Sequence, residues 1–161
     1  MLESLSGKVA WVTGAGTGIG RAAAVALARN GACVALSGRR LDPLIETADR
    51  ISPNVDLVSM EVLDVSNADS VWSAADRIVG RHGRIDILVN NAGINLSDRH
   101  WEKISPEGWN EVIRINLDGA FYCARAVLPA MRSQKDGLII NVSSWAGRFY
   151  SLLTGPAYSA A

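Results

Sequence analysis

Short apolar runs rich in β-branched residues recur along the chain, at Val9–Val12, Val34–Leu36, Leu57–Val62, Ile85–Val89 and Leu138–Val142. Unbroken apolar character over such short lengths predicts strands buried on both faces, as in a parallel sheet. Between the runs the apolar residues fall three or four apart, the helical period. Ile19, Ala22, Ala23, Ala26 and Leu27 predict one apolar stripe, and Leu41, Leu44, Ile45, Ala48 and Ile51 a second. Asp42 and Pro43 read as the cap and first-turn proline of the second helix. Ser66 opens a third, with Asp69 at capping-box spacing and Val71, Ala75 and Ile78 on its apolar face. Ser105 followed by Pro106 opens a fourth. Ala120, Ala124, Val127, Leu128 and Met131 mark a fifth, in which Pro129 predicts a kink or one loosened turn.

Strand alternating with helix predicts an α/β fold: a Rossmann-like, doubly wound parallel sheet with right-handed crossovers and strand order 3-2-1-4-5. No repeat, linker or low-complexity tract divides residues 1–161, so they read as one domain.

Composition narrows the function. Sixteen basic and sixteen acidic residues cancel, which removes the electrostatic footprint expected of a nucleic-acid or anionic-membrane binder. The start, Met1–Lys8, carries Glu3 and no basic region, and no apolar run is long enough to span a bilayer. A cytoplasmic location is therefore expected. Cys33 and Cys123 stand apart, each in an apolar segment, and read as small core residues rather than metal ligands.

Thr13-Gly14-Ala15-Gly16-Thr17-Gly18-Ile19-Gly20 follows a strand and opens a helix. Glycines there let the backbone turn tightly and approach a pyrophosphate, which the helix N-terminus favours with free N–H groups and its positive dipole end. After the second strand comes Ser37-Gly38-Arg39-Arg40. A ribose-binding acidic residue is expected about twenty residues past the glycines; here Gly38 stands there and Arg39 follows. A guanidinium suits a 2′-phosphate, which favours NADP over NAD.

The spacing T-G-x-x-x-G-I-G resembles the short-chain dehydrogenase/reductase family, and further segments carry the resemblance through the chain. Asp64-Val65 matches the family's adenine-contacting position, although Asp64 also suits a plain helix entry. Asn90-Asn91-Ala92-Gly93 resembles the family's NNAG segment, which braces the sheet and lines the cofactor cleft. Asn116, between Ile115 and Leu117, matches the Asn whose backbone holds a proton-relay water. Ser144 and Tyr158 match the catalytic pair, with the loop between them one residue longer than the commonest family spacing. The family pattern Y-x-x-x-K would place its lysine immediately after Ala161. The chain therefore reads as a C-terminally incomplete domain whose last strands lie outside it.

The resemblance implies cofactor-binding roles for Gly14, Thr17, Gly18, Ile19, Gly20, Arg39, Asp64, Val65, Asn91, Ala92 and Gly93, and catalytic roles for Tyr158, Ser144 and Asn116, with no metal. It implies a short-chain NAD(P)-dependent alcohol dehydrogenase or ketoreductase, with Tyr158 as general acid/base and Ser144 stabilising the substrate oxygen. A free tyrosine titrates near about pH 10; the family uses the lysine ammonium and the oxidised nicotinamide to bring it nearer neutrality. These 161 residues on their own are accordingly expected to be inactive. NADP is the expected cofactor, with NAD as the alternative. A non-catalytic dinucleotide-binding piece is the rival of another class. The expected partners are a small alcohol or carbonyl substrate and further copies of the chain, in a homodimer or homotetramer. Trp145, Phe149, Tyr150, Leu152 and Leu153 give the loop after Ser144 an apolar character that points to an apolar or ring-containing substrate, or to packing against another part of the protein.

Overall fold

A computed structural model of the chain describes residues 4–51, 57–149 and 153–161. Five parallel strands form one sheet: β1 (Val9–Thr13), β2 (Cys33–Gly38), β3 (Val58–Val62), β4 (Ile87–Asn90) and β5 (Leu138–Asn141), in the order β3-β2-β1-β4-β5. That is the doubly wound order expected from the alternation of runs. The helices are α1 (Gly18–Arg29), α2 (Leu41–Ile51), α3 (Ala68–His82), α4 (Pro106–Ile113), α5 (Gly119–Gln134) and α6 (Pro156–Ala160).

The central strands are apolar throughout because both sheet faces are covered. Every residue of β1 is buried. Val9 and Trp11 point into a core with Leu88, Ile78, Cys123 and Val127, beneath α3 and α5. Ala10 and Val12 point the other way, into a core with Val34, Leu36, Ala24 and Leu44, beneath α1 and α2. Trp11 is fully buried, and its indole N–H donates to Ser37 Oγ at 3.0 Å, so the one polar atom of that ring is satisfied. At the outer strands burial falls away: β3 alternates, and Leu138 and Ile140 of β5 are exposed.

Several helix faces differ from the predicted stripes. On α1 it is Gly20 and Ala24 that are buried, with Leu27 and Ala28 packed beside them; Ile19, Ala22 and Ala26 are exposed. Small residues bring this helix close to the sheet, and an alanine-rich segment gives the apolar period little contrast from which to choose a face. On α2 the buried residues are Leu44 and Thr47, while Leu41 and Ile45 face solvent. Asp42 lies inside the first turn rather than at the cap, because α2 already begins at Leu41. The cap of α3 is Asn67, whose Oδ1 accepts from Ser70 N, not Ser66; the Ser66 hydroxyl instead donates to Asp64 at 2.8 Å. Ser105 and Pro106 do open α4 as expected, with Ser105 Oγ accepting from Gly108 N. Helix α5 runs unbroken through Pro129, which lies on its exposed side. The departure from α geometry occurs upstream, in a π-helical stretch at Arg114–Asp118. Cys123 is buried, and burial pushes its thiol up to about 12; Cys33 is only half-buried. Glu3, Tyr150 and Leu152 lie outside the described residues.

At the edge opposite the glycine turn, Asp86 ties β1 to β4. Its buried carboxylate accepts from Val9 N at 2.8 Å and from Arg84 Nε at 2.8 Å, and Lys8 Nζ stands 3.3 Å away. Burial alone would raise the carboxyl, but the Arg84 guanidinium, the Val9 N–H and the Lys8 ammonium outweigh it and hold it below the ordinary carboxylate range. A carboxylate depressed in the folded state contributes stability above its unfolded value, and that contribution is lost as pH falls through the folded one. Asp86→Ala is therefore expected to destabilise the protein by about 1–3 kcal/mol near neutrality. The difference from the parent protein should shrink once the pH falls below about 4. Urea unfolding midpoints across pH measure it, and a difference independent of pH would contradict the assignment.

Candidate functional site

The strand order reverses between β1 and β4, so the chain leaves their carboxyl ends in opposite directions and opens a crevice there. Thr13 closes β1 at that point. Its hydroxyl accepts from Asn91 N and Ala92 N, each at 3.0 Å, and donates to Val89 O at 3.3 Å. The Asn91 amide returns the contact, donating to Thr13 O at 3.0 Å and Gly14 O at 3.2 Å. One hydroxyl and one amide thus join the glycine turn to the segment after β4.

Glycine is required where that junction is tightest. A Cβ on Gly20 would stand 2.3 Å from Gly14 O and 2.4 Å from Asn91 Nδ2, so no other residue fits the start of α1. Gly14 adopts φ +63° and would also meet Asn91. Thr17 caps α1 by position, but its side chain makes no capping hydrogen bond. Arg21 anchors the turn from behind. Its guanidinium donates to Gly16 O, to Thr47 Oγ1 at 3.1 Å and to Glu46 at 2.9 Å, fixing the turn to α2.

Two hollows adjoin the turn and share a wall made of Val65, Ala92, Gly93 and Ile94. The smaller, about 130 Å³, is also lined by Gly14, Gly38, Arg39 and Asp64. Arg39 is exposed at its mouth. The Asp64 carboxylate accepts from Ser66 N at 2.9 Å and from Ser66 Oγ. Burial works to raise this carboxyl, but the two Ser66 bonds and the charges of Arg39 and Arg114 hold it below the ordinary range.

The larger hollow is an open cleft of about 770 Å³, whose walls bring together Ile19, Asn91, Asn116, Ser144 and Tyr158. Thr17 precedes α1, and Gly18 and Gly20 lie in its first turn. Ile19, expected on the core face of α1, instead points into this cleft. Asn116 sits in the π-helical stretch, where its Oδ1 accepts from Ile94 N at 2.8 Å and its Nδ2 donates to Ile94 O at 2.9 Å. The widened turn and Ile94 therefore hold each other. Ser144 begins a short 3-10 turn, Trp145–Gly147, and its Oγ accepts from Ala146 N at 3.2 Å. Tyr158 is half-buried on α6.

Sequence reasoning named Asn90 only within the NNAG segment, without its partners, and missed other residues that shape this site. Asn90 Nδ2 donates to Ala120 O and to Asn141 Oδ1 at 2.9 Å, and its own buried Oδ1 has no partner among the described residues. The one signal for this pair is an Asn at the end of each of two neighbouring strands. Asn95 and Arg99 reach across to the segment before Tyr158, and nothing local announces that contact. No group of three His, Cys, Asp or Glu among the described residues could hold a metal ion. No described helix is long and apolar enough to cross a membrane.

The pattern of the family described as "short chain dehydrogenase" matches residues 8–161. The 3-oxoacyl-[acyl-carrier-protein] reductase FabG of Thermotoga maritima is 40% identical over 146 residues, covering 89% of this chain and 58% of that protein. A 3-oxoacyl-[acyl-carrier-protein] reductase of Synechocystis sp. is 39% identical over 150 residues, covering 91% of this chain and 59% of its own length. A crystal structure from Sinorhizobium meliloti, described as that of "a putative short-chain alcohol dehydrogenase", superposes with a TM-score of 0.89 at 34% identity, covering 99% of this chain and 63% of that one. The chain thus spans about three fifths of the length of these proteins.

The junction at Thr13 makes its own prediction. Thr13→Val keeps the shape and removes the acceptor for two N–H groups. The substitution is expected to destabilise the protein by about 1–3 kcal/mol, the range for leaving buried donors unsatisfied. Chemical denaturation tests it, and an unchanged midpoint would mean that Asn91 holds the turn without the hydroxyl.

Proposed function

Because the chain belongs to the short-chain dehydrogenase family, we propose that it carries the cofactor site and part of the catalytic site of an NADP-dependent oxidoreductase acting on an alcohol or ketone. The observation that carries this reading is the cleft itself: Ser144, Tyr158 and Asn116 face one space whose wall continues into the hollow beside Gly14 and Arg39. The residues suit a dinucleotide. Gly18 leaves open space where a side chain would stand, the Thr17 side chain makes no capping bond at the α1 N-terminus, and Arg39 offers a guanidinium beside a ribose-sized hollow.

When bound, the nicotinamide cofactor supplies the hydride donor or acceptor. The chain's own residues handle the oxygen and the proton. The Ser144 oxygen already accepts from Ala146 N, so its hydrogen is the part left to face a substrate oxygen, where it stabilises developing negative charge. Tyr158 gives its hydroxyl proton to the oxygen in the reducing direction and takes it back in the other. Asn116, whose side chain is committed to Ile94, uses its backbone carbonyl in the widened turn to hold the water that returns the proton from solvent. The names of the two reductase relatives support a ketone as one form of the substrate. Trp145, Phe149 and Leu153, all exposed near the cleft, support an apolar one. Leu117 and Phe121, exposed and close together along the helix, support a homo-oligomer, a dimer or tetramer. The lysine of the family pattern is not among residues 1–161, so these residues on their own are proposed to bind cofactor without turnover.

Three outcomes are expected in the complete protein. Tyr158→Phe should lower kcat by about three powers of ten or more with cofactor binding nearly unchanged, and Ser144→Ala by about two to three. A Tyr158→Phe variant at the parent rate would place the acid/base elsewhere. Arg39→Asp should weaken NADP binding by about ten-fold or more, the worth of a charge-assisted pair, and leave NAD binding level or improved. Equal loss of both cofactors in titration calorimetry would remove the 2′-phosphate role and favour the NAD-dependent alternative.

A further inference from the structure

We infer that Arg99 and Asn95 are positioning residues: the loop after β4 clamps the backbone at Leu153–Gly155 and so sets where Tyr158 stands in the cleft. The inference rests on the proposed role of Tyr158. Helix α6 has five residues, too few to hold itself in place, because a single turn forms against an unfavourable nucleation term. Its position must come from outside.

Three contacts from one loop contribute to it, beside the packing of α6 against α4 and the Trp145–Gly147 turn. Asn95 Nδ2 donates to Thr154 O at 3.0 Å, while its Oδ1 accepts from Leu96 N at 2.9 Å, which fixes the amide orientation. Arg99 Nε donates to Leu153 O at 2.5 Å and Nη1 to Leu96 O at 3.1 Å, so one guanidinium bridges the two segments. The third contact is steric. Gly155 adopts φ +74°, and a Cβ there would stand 2.0 Å from Arg99 O. The two backbones touch at the residue that precedes α6.

Gly155 is followed by Pro156, whose ring restricts φ, and by buried Ala157. Little freedom remains between the clamp and the tyrosine ring, so a rotation at residue 154 or 155 is transmitted to Tyr158. Asn95 also lines the cleft, but Arg99 does not. Loss of the Arg99 side chain therefore removes no wall of the substrate space. This separates positioning from binding and makes Arg99 the residue to test.

The experiment compares Arg99→Ala, Arg99→Lys and Tyr158→Phe in the complete protein, with a ketone panel and NADPH. Arg99→Ala is expected to lower kcat about 10- to 100-fold, the scale of an ångström-sized misplacement, with NADPH affinity and substrate KM changed by less than about threefold. The solvent deuterium isotope effect on kcat should rise as proton transfer becomes limiting. Arg99→Lys keeps one donor and should lose less than the Ala variant while remaining below the parent; if the Ala variant does not fold, the Lys variant carries the same test. An unchanged kcat in the folded Arg99 variants, with Tyr158→Phe inactive, would overturn the clamp and leave the proposed function standing. So would a parallel fall in kcat and cofactor affinity without a larger isotope effect, since that marks general loosening. Parent-level turnover in Tyr158→Phe would overturn the proposed function and the clamp together.

Discussion

The hydroxyl of Thr13 and the amide of Asn91 form the junction on which the rest of the site depends. They meet where β1 and β4 part, at the one point in the sheet where neighbouring chains turn to opposite faces. Two N–H groups that the end of β4 leaves without ladder partners find one oxygen there, and two carbonyls of the turn find one amide. The crevice stays open because its backbone groups are satisfied by short side chains rather than by filling the space. Gly20 follows from the same constraint, since the start of α1 is pressed against those groups with no room for a Cβ.

The electrostatics near this junction follow from which groups are already paired. The charges of Arg39 and Arg114 reach Asp64, and Ser66 donates to it twice. Asp64 is thereby kept ionised beside Arg39 without forming an ion pair with it. The Arg39 guanidinium remains exposed at the mouth of the small hollow. At the other sheet edge the order is reversed: Asp86 is buried and saturated by Arg84, Val9 and Lys8, so charge there serves to hold strands together. One sheet thus carries a closed charge cluster at its amino edge and open donors at its carboxyl edge.

Much of this was legible in the sequence. The five apolar runs located the strands because parallel central strands are apolar on both faces, a pattern that few other elements share, and the Rossmann-like reading supplied their order. The motif residues Asn91, Asn116, Ser144 and Tyr158 do converge on one cleft, and Gly14, Arg39 and Asp64 on its neighbour. The helix faces were harder. In α1 alanines occupy several sides, so burial was decided by the close approach at Gly20 and Ala24 rather than by the apolar count. At the entry to α3, Asp64, Ser66 and Asn67 can each cap, and three-dimensional competition gave Ser66 to Asp64 and the cap to Asn67. Pro129 does not end α5, which stays helical from Gly119 to Gln134, and it stands on the exposed side. The irregularity in that region is instead the π-helical turn, where Asn116 bonds Ile94.

The two halves of the site are held by different kinds of interaction, and this bears on where specificity resides. The glycine turn is fixed by groups that belong to the sheet: Thr13 ends β1, Asn91 follows β4, and Arg21 ties the turn to α2. Changing any of them disturbs the core, so this half has little room to vary. The Tyr158 half is held outside the sheet, by loop against loop through Asn95 and Arg99 on one side and Leu153 to Gly155 on the other, and by packing of α6 against α4 and the Trp145–Gly147 turn. Loops pay for variation with few core contacts. The exposed rings of Trp145 and Phe149, packed 5.9 Å apart, and the Arg148 guanidinium 5.3 Å from the Phe149 ring stand on this same side. In the proposed reading, the features that distinguish one substrate from another are therefore gathered on the half whose geometry can change without unfolding the sheet, while the half proposed to meet the cofactor is held by the sheet itself.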